Sequence, residues 1–142
     1  MKNYLLALDG SENSSRAAKF LSEFTHNDDQ SLITVIHVVN SKKEIYKFSP
    51  FADIKDIKQA IMEQGEKLIA EQLMAFENIT AKVKKVILDG DAGPEISRHA
   101  DHNSFDVIVM GSRGLSDLEG LVLGSVSHKV LHLASCPVIL VK

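Results

Sequence analysis

Val107-Ile108-Val109-Met110-Gly111-Ser112-Arg113-Gly114 is an apolar run that breaks into a glycine-rich turn. After nine intervening residues, Gly124-Ser125 opens a second apolar-patterned run that reaches Ala134. The first run has the length and β-branched content of a buried strand, and the second has helical spacing. The unit therefore reads strand, loop, helix. A helix start exposes backbone N–H groups and carries partial positive charge. Glycine removes the Cβ that would keep an anion from that backbone. The pattern reads as a phosphate cradle.

The same alternation runs along the rest of the chain. Tyr4-Leu5-Leu6-Ala7-Leu8 is nearly all apolar and stops at Asp9-Gly10-Ser11, as a strand buried on both faces would. Ser11 or Ser14 can cap the helix that follows, on which Ala17, Ala18, Leu21 and Phe24 recur. Leu32 to Val39 is the second strand. Residues 40–53 are polar, contain Pro50 and read as a loop. Ile54, Ile57, Ile61, Leu68, Ile69, Leu73 and Phe76 trace one face of a long helix, with Gly65 inside it. Val83, Val86 and Leu88 mark a third strand that lysines 82, 84 and 85 make less buried. Asp89 to Pro94 is a turn opening a short helix, with proline at its first position. Val107 to Met110 is the fourth strand, and Val138 to Val141, after Cys136-Pro137, is the fifth.

Strands that alternate with helices indicate an α/β fold, a parallel sheet with helices on both faces. At 142 residues the chain is expected to form a single domain spanning 1–142. Ligands of such sheets bind beyond the carboxyl ends of the strands, which puts Asp9, Val39 and Gly111 on one rim.

Composition narrows the function classes. A net charge of −3 gives no basic footprint for nucleic acid. One cysteine, Cys136, leaves no internal disulfide or CxxC pair, and at the entry to a buried strand it reads as inert. No segment approaches the roughly 20 apolar residues of a membrane span. The apolar start is too short for a leader and ends on an acidic residue. A cytoplasmic location is expected. His128 and His132 share a helix face, as do His99 and His102, but two ligands do not close a metal site.

Within the cradle, Ser125 and Ser127 fall in the first helical turn, where hydroxyls and amides can donate to phosphate oxygens or Ser125 can cap the helix. Arg113 lies within reach of a phosphate, or is merely solvated. Asp9, at a strand tip, can hold ribose hydroxyls or a phosphate-bound Mg²⁺, or serve only as a turn residue. The motif is neither a Walker A loop, which needs a lysine beside Gly124, nor the dinucleotide fingerprint after the first strand. A receiver domain is disfavoured because only Asp9 suits its pair of acids.

With these residues in view, the chain resembles the universal stress protein family, and specifically its ATP-binding branch. Gly111, Gly114, Gly124 and Ser125 match that branch's Gly-x2-Gly-x9-Gly-Ser/Thr position for position. Leu6-Ala7-Leu8-Asp9-Gly10-Ser11 and Cys136-Pro137-Val138-Ile139-Leu140-Val141 are similar to the family's two ends. The least typical region is Asn40 to Asp56. The resemblance implies five parallel strands in the order 3-2-1-4-5. It implies adenine near Ala7, Leu8 and Val38. Ribose and phosphates would then lie near Asp9, Met110, Gly111, Ser112, Gly114 and the turn Gly124, Ser125, Val126, Ser127. It further implies ATP as ligand, a homodimer paired through the final strand, and a role in survival under stress. A protein–protein module with ATP as structural ligand and a slow ATP hydrolase both stay open, although no general base is evident in the cradle.

Overall fold

Leu5 and Leu6, adjacent in sequence, both have no exposed surface. That is the consequence of a strand covered on both faces, and it explains the unbroken apolar run. The strand is β1 (Asn3–Ala7), in a computed structural model that describes residues 2–45, 47, 51, 53–77, 80–115 and 122–142. There follow α1 (Glu12–Phe24), β2 (Leu32–Val39), α2 (Ser41–Ile45) and α3 (Ile54–Leu73), which runs into a 3-10 turn at Met74–Phe76. The rest is β3 (Lys82–Asp89), α4 (Ala92–His102), β4 (Val107–Gly111), α5 (Ser125–Leu133) and β5 (Val138–Val141). All strand pairs are parallel and the sheet order is β3-β2-β1-β4-β5.

Alternate residues of each strand feed two cores. Tyr4, Leu6, Ile33, Val35 and Val109 pack with Ala17, Ala18 and Leu21 of α1 and Ile69 of α3. Leu5, Ala7, Ile36, Ile108 and Met110 pack with Ile96 and Ala100 of α4 and Val130 of α5. Each face of the sheet thus has its own pair of helices. Strand order reverses between β1 and β4, so a crevice opens at their carboxyl ends.

Several local features differ from the sequence reading, each for a tertiary reason. The loop over 40–53 contains α2. Asp89, at the end of β3, accepts from the Ser41 amide at 2.9 Å and the Ser41 hydroxyl at 2.5 Å, which fixes the first residue of this short helix. The Ser41 hydroxyl above all, then its amide and the nearby Lys58 and Lys42, hold the Asp89 carboxyl below its ordinary range against the opposing effect of burial. Pro50 lies outside the described residues. Pro94 is the third residue of α4, not the first; it is still in the first turn, where its missing N–H has no helical partner to lose. On α3 the buried face is Ile57, Gly65 and Ile69, while Ile54 is exposed. A Cβ at Gly65 would stand 3.1 Å from the His37 ring and 3.4 Å from Val39, so this glycine lets α3 lie close to β2. Phe24, at the end of α1, is exposed but stacks on Phe20 and meets Tyr4 edge-on. Among the described residues no helix is long and apolar enough to cross a membrane.

Candidate functional site

The chain must turn sharply after β1 to enter α1. Gly10 does so at a φ of 83°, in the left-handed region. Asp9 holds the turn: its carboxylate accepts from the Ser11 amide at 2.9 Å and from the Leu115 amide at 3.2 Å. Ser11 then caps α1, its hydroxyl oxygen accepting from the Ser14 amide at 3.1 Å. Asp9 thereby joins the starts of α1 and of the loop beyond Gly114.

On the other side of the crevice β4 ends at Gly111, pressed against the first turn of α1. A Cβ there would stand 2.8 Å from the Asn13 carbonyl carbon and 2.9 Å from the Ser14 nitrogen. This glycine is needed for backbone-to-backbone contact within the fold. Ser112, which follows, is buried and ties four elements together. Its amide donates to Val141 of β5 at 2.8 Å, and its hydroxyl oxygen accepts from the Asn13 amide group at 3.3 Å. Its carbonyl accepts from the Gly124 amide and from the Ser127 hydroxyl, each at 2.8 Å.

These constraints leave an open-mouthed cleft at the carboxyl ends of β1 and β4, where ligands of such sheets bind. Ala7, Leu8, Val38, Met110 and Gly111 come from the strand ends, Val126 and Ser127 from α5, and Asp9, Arg113 and Gly114 from the loops. The sequence reading singled out all of these. It missed Ala92 and Ile96 of α4, which line the cleft as well. The available signal was position: α4 starts after β3 on the same rim as the other loops, and Ala92 and Ile96 are one helical turn apart. The α4–α5 contact is tight, since a Cβ at Gly93 would fall 2.6 Å from the Lys129 Cβ. Lys129 closes the pair with an ion pair to Asp91 at 2.8 Å.

Ser112, Gly124 and Ser125 are not among the lining residues. Gly124, rather than Ser125, is the N-cap of α5, and a glycine cap brings no side chain to the first-turn amides. Ser125 is the first helical residue and is exposed. The Ser127 hydroxyl donates to the carbonyls of Ser112 at 2.8 Å and Gly124 at 3.0 Å, so it serves the fold rather than an incoming anion. Residues 116–121 of the cradle loop lie outside the described residues. His37 Nδ1 sits 2.8 Å from the Leu8 carbonyl oxygen, bracing the β1 end of the cleft.

Chemically the cleft is an apolar slot with a polar rim. Asp9 and Arg113 are the charged side chains among its lining residues. Among the described residues no group of three or more His, Cys, Asp or Glu is placed to hold a metal ion. Cys136 is distant in chemistry as well: burial pushes its thiol up, away from the reactive thiolate.

The Universal stress protein family matches the chain over residues 1–142. The chain belongs to that family. Universal stress protein YxiE of Bacillus subtilis is 32% identical over 148 residues, covering 97% of each chain. A solved structure of MJ0577, a universal stress protein of Methanocaldococcus jannaschii, is 27% identical with a TM-score of 0.85, covering 99% of this chain and 95% of that one. Two more distant members share the fold and were solved with nucleotides. A family protein from Arabidopsis thaliana with AMP bound is 21% identical, with a TM-score of 0.70 over 100% of this chain and 92% of that one. A universal stress protein in complex with cAMP is 18% identical, with a TM-score of 0.62 over 99% of this chain and 96% of that one.

Proposed function

We propose that the cleft binds an adenine nucleotide, ATP with Mg²⁺ carried on its phosphates, and that the protein is a nucleotide-dependent binding module of a stress response. One observation carries this reading: an apolar slot at the switch point of the sheet has a carboxylate, Asp9, at one rim and the start of α5 at another. In this reading the purine lies against Val38, Ile96 and Met110, apolar residues that line the slot. Ribose hydroxyls, as donors, suit Asp9, whose oxygens each have lone pairs left beyond the Ser11 and Leu115 amides. Phosphates suit the α5 start, where the macrodipole favours an anion. The nucleotides in the two family structures above support the same class of ligand.

Binding is favoured over turnover. Asp9 is the carboxylate among the lining residues, and in this reading it is engaged by the ribose, away from the terminal phosphate that a water would attack. The deciding experiment is a mass spectrum of whatever nucleotide is released when purified protein is denatured, followed by calorimetry on the emptied protein. ATP is expected to bind at micromolar strength, with phosphate release well below about 1 per second. No heat with ATP overturns the reading. Faster release makes the protein an enzyme.

A homodimer through β5 belongs to the same proposal. All four β5 residues are half-buried at a sheet edge, and an apolar edge invites pairing. The carbonyls of Pro137 and Val141 accept from Ile108 of β4 and from Ser112 just beyond it, so Ile139, of the same parity, also turns its backbone inward. Val138 and Leu140 present theirs outward. Light scattering is therefore expected to show a dimer that Leu140→Pro weakens by removing an outward N–H. A wild-type protein that stays monomeric at high concentration ends this part of the proposal.

A further inference from the structure

The two edges of the sheet are unlike. β5 is wholly apolar, whereas β3 reads Lys82-Val83-Lys84-Lys85-Val86-Ile87-Leu88-Asp89 and gathers its lysines in its first half. Among the described residues β3 pairs with β2 alone, so its far side is a strand edge. The pairing also tells which backbone groups that edge presents. The Lys82 amide donates to the Ser31 carbonyl at 3.2 Å, and the Gly90 amide to the Val39 carbonyl at 2.8 Å. Even-numbered residues therefore turn their backbone to β2, and Val83, Lys85 and Ile87 turn theirs outward.

Side chains alternate across the same edge. Val83 and Ile87 pack on the α3 side with the first core, and Val86 and Leu88 on the α4 side with the second. All four are only half-buried, which leaves apolar area that a neighbouring strand would cover. Lys85 shares the α3 side, where it and Ile87 line a cavity walled by Met62, Glu66 and Ile69 of α3. By the same alternation Lys82 and Lys84 fall on the other side. All three lysines are exposed, and their side chains make no ion pair or hydrogen bond among the described residues. Glu66 shares the cavity with Lys85 without pairing to it, and the Asp89 carboxylate is taken up by Ser41. The edge is thus locally positive on a chain whose net charge is −3.

We infer that β3 is a docking edge for an extended acidic segment of another protein, which adds itself to the sheet as a further strand. Its backbone pairs with the outward groups of Val83, Lys85 and Ile87, and this ladder supplies affinity whatever the sequence. Its acids stand beside Lys82, Lys84 and Lys85, on both faces of the sheet. Its apolar residues cover Val86, Ile87 and Leu88. A second copy of this chain is a poor occupant. Two β3 edges related by a two-fold axis run antiparallel and set lysine against lysine: Lys85 meets Lys85, or Lys84 meets Lys84, according to register. Like charges opposite one another in a ladder are destabilising, so charge selects an acidic partner.

The test is nuclear magnetic resonance on the full chain with short capped peptides of valine and threonine. Two of them carry three glutamates, in the carboxyl half for antiparallel pairing or in the amino half for parallel pairing. Their counterparts carry lysines in the same places. One glutamate peptide is expected to slow hydrogen exchange of the Val83, Lys85 and Ile87 amides by about tenfold or more. The Lys84 and Val86 amides, already bonded to β2, should change little. The lysine counterpart is expected to bind about 10- to 100-fold less tightly, as three cross-strand charge pairs would give. In the double variant Lys84→Glu, Lys85→Glu that preference is expected to reverse. Both positions are exposed, and circular dichroism checks the fold. Failure of both glutamate peptides to bind at millimolar concentration overturns the inference, because the lysines then only keep other strands away. Equal binding of the two charges overturns it too, as does a preference that the folded double variant leaves unaltered. Protection of the same amides in the free protein, rising with its concentration, also overturns it and puts a second copy at the edge. Should the variant not fold, the wild-type comparison of the two charges decides alone.

Discussion

Gly111→Ala is expected to destabilise the protein by about 2–3 kcal/mol, the upper part of the range for an overpacked core. The new Cβ would stand 2.8 Å from the Asn13 carbonyl carbon, 2.9 Å from the Asn13 Cβ and 2.9 Å from the Ser14 nitrogen. Two of these are backbone atoms, so no side chain can swing aside. The first turn of α1 would have to move, and it is held by the Ser11 cap, by the Asp9 bond to the Ser11 amide and by Asn13 donating to Ser112. The strain would pass into the cleft, because the Ser11 hydroxyl also donates to the Arg113 carbonyl at 3.4 Å. The check is the denaturant midpoint at constant slope. An unmoved midpoint would mean that α1 yields freely, and the contact would lose the structural weight given to it here.

This position shows which part of the site was legible in the sequence. The glycine pattern pointed to a place where backbone must be approached closely, and that much holds at Gly111. What approaches there is α1, and no local pattern could name it, since Gly111 and Asn13 are 98 positions apart in the chain. Ser112 and Ser127 carry the same lesson. Their residue types suit anion binding, but tertiary hydrogen bonds absorb the Ser112 amide and the Ser127 hydroxyl. The strands were readable because burial on both faces writes itself into sequence as unbroken apolar runs, as at Leu5-Leu6 and Ile108-Val109. Their order in the sheet was not in that pattern; it came with the family resemblance, and the structure has the same 3-2-1-4-5 order. Short α2 left no periodicity to detect, because five residues make little more than one turn and Asp89 holds its start from another element. The α4 wall was missed for a related reason. Ala92 and Ile96 look like ordinary core positions, and only the turn geometry after β3 swings them into the cleft.

Gly124→Val is expected to weaken nucleotide binding by on the order of 100-fold or more, comparable to losing one strong or two ordinary charge-assisted hydrogen bonds. The loss would be steric. The Gly124 amide is already given to the Ser112 carbonyl, so valine removes no donor from the site. Gly124 is buried at the cap of α5, directly before the helical turn that carries the lining residues Val126 and Ser127. A branched side chain at a cap stands over the first-turn amides, the place where an anion has to sit. The fold should survive. Gly124 has φ −75° and ψ 163°, an extended conformation that valine adopts without strain, so the cost to stability is a poorer cap, about 1 kcal/mol. Gly124→Ala separates the two effects, because its single methyl group weakens the cap in the same way but blocks less of the approach. Binding should therefore fall in the order glycine, alanine, valine while stability changes little between alanine and valine. Calorimetry on variants verified to be folded reads the first order, and denaturant unfolding reads the second. Full affinity in a folded Gly124→Val protein would put the phosphates away from α5 and the nucleotide, if bound, in another orientation.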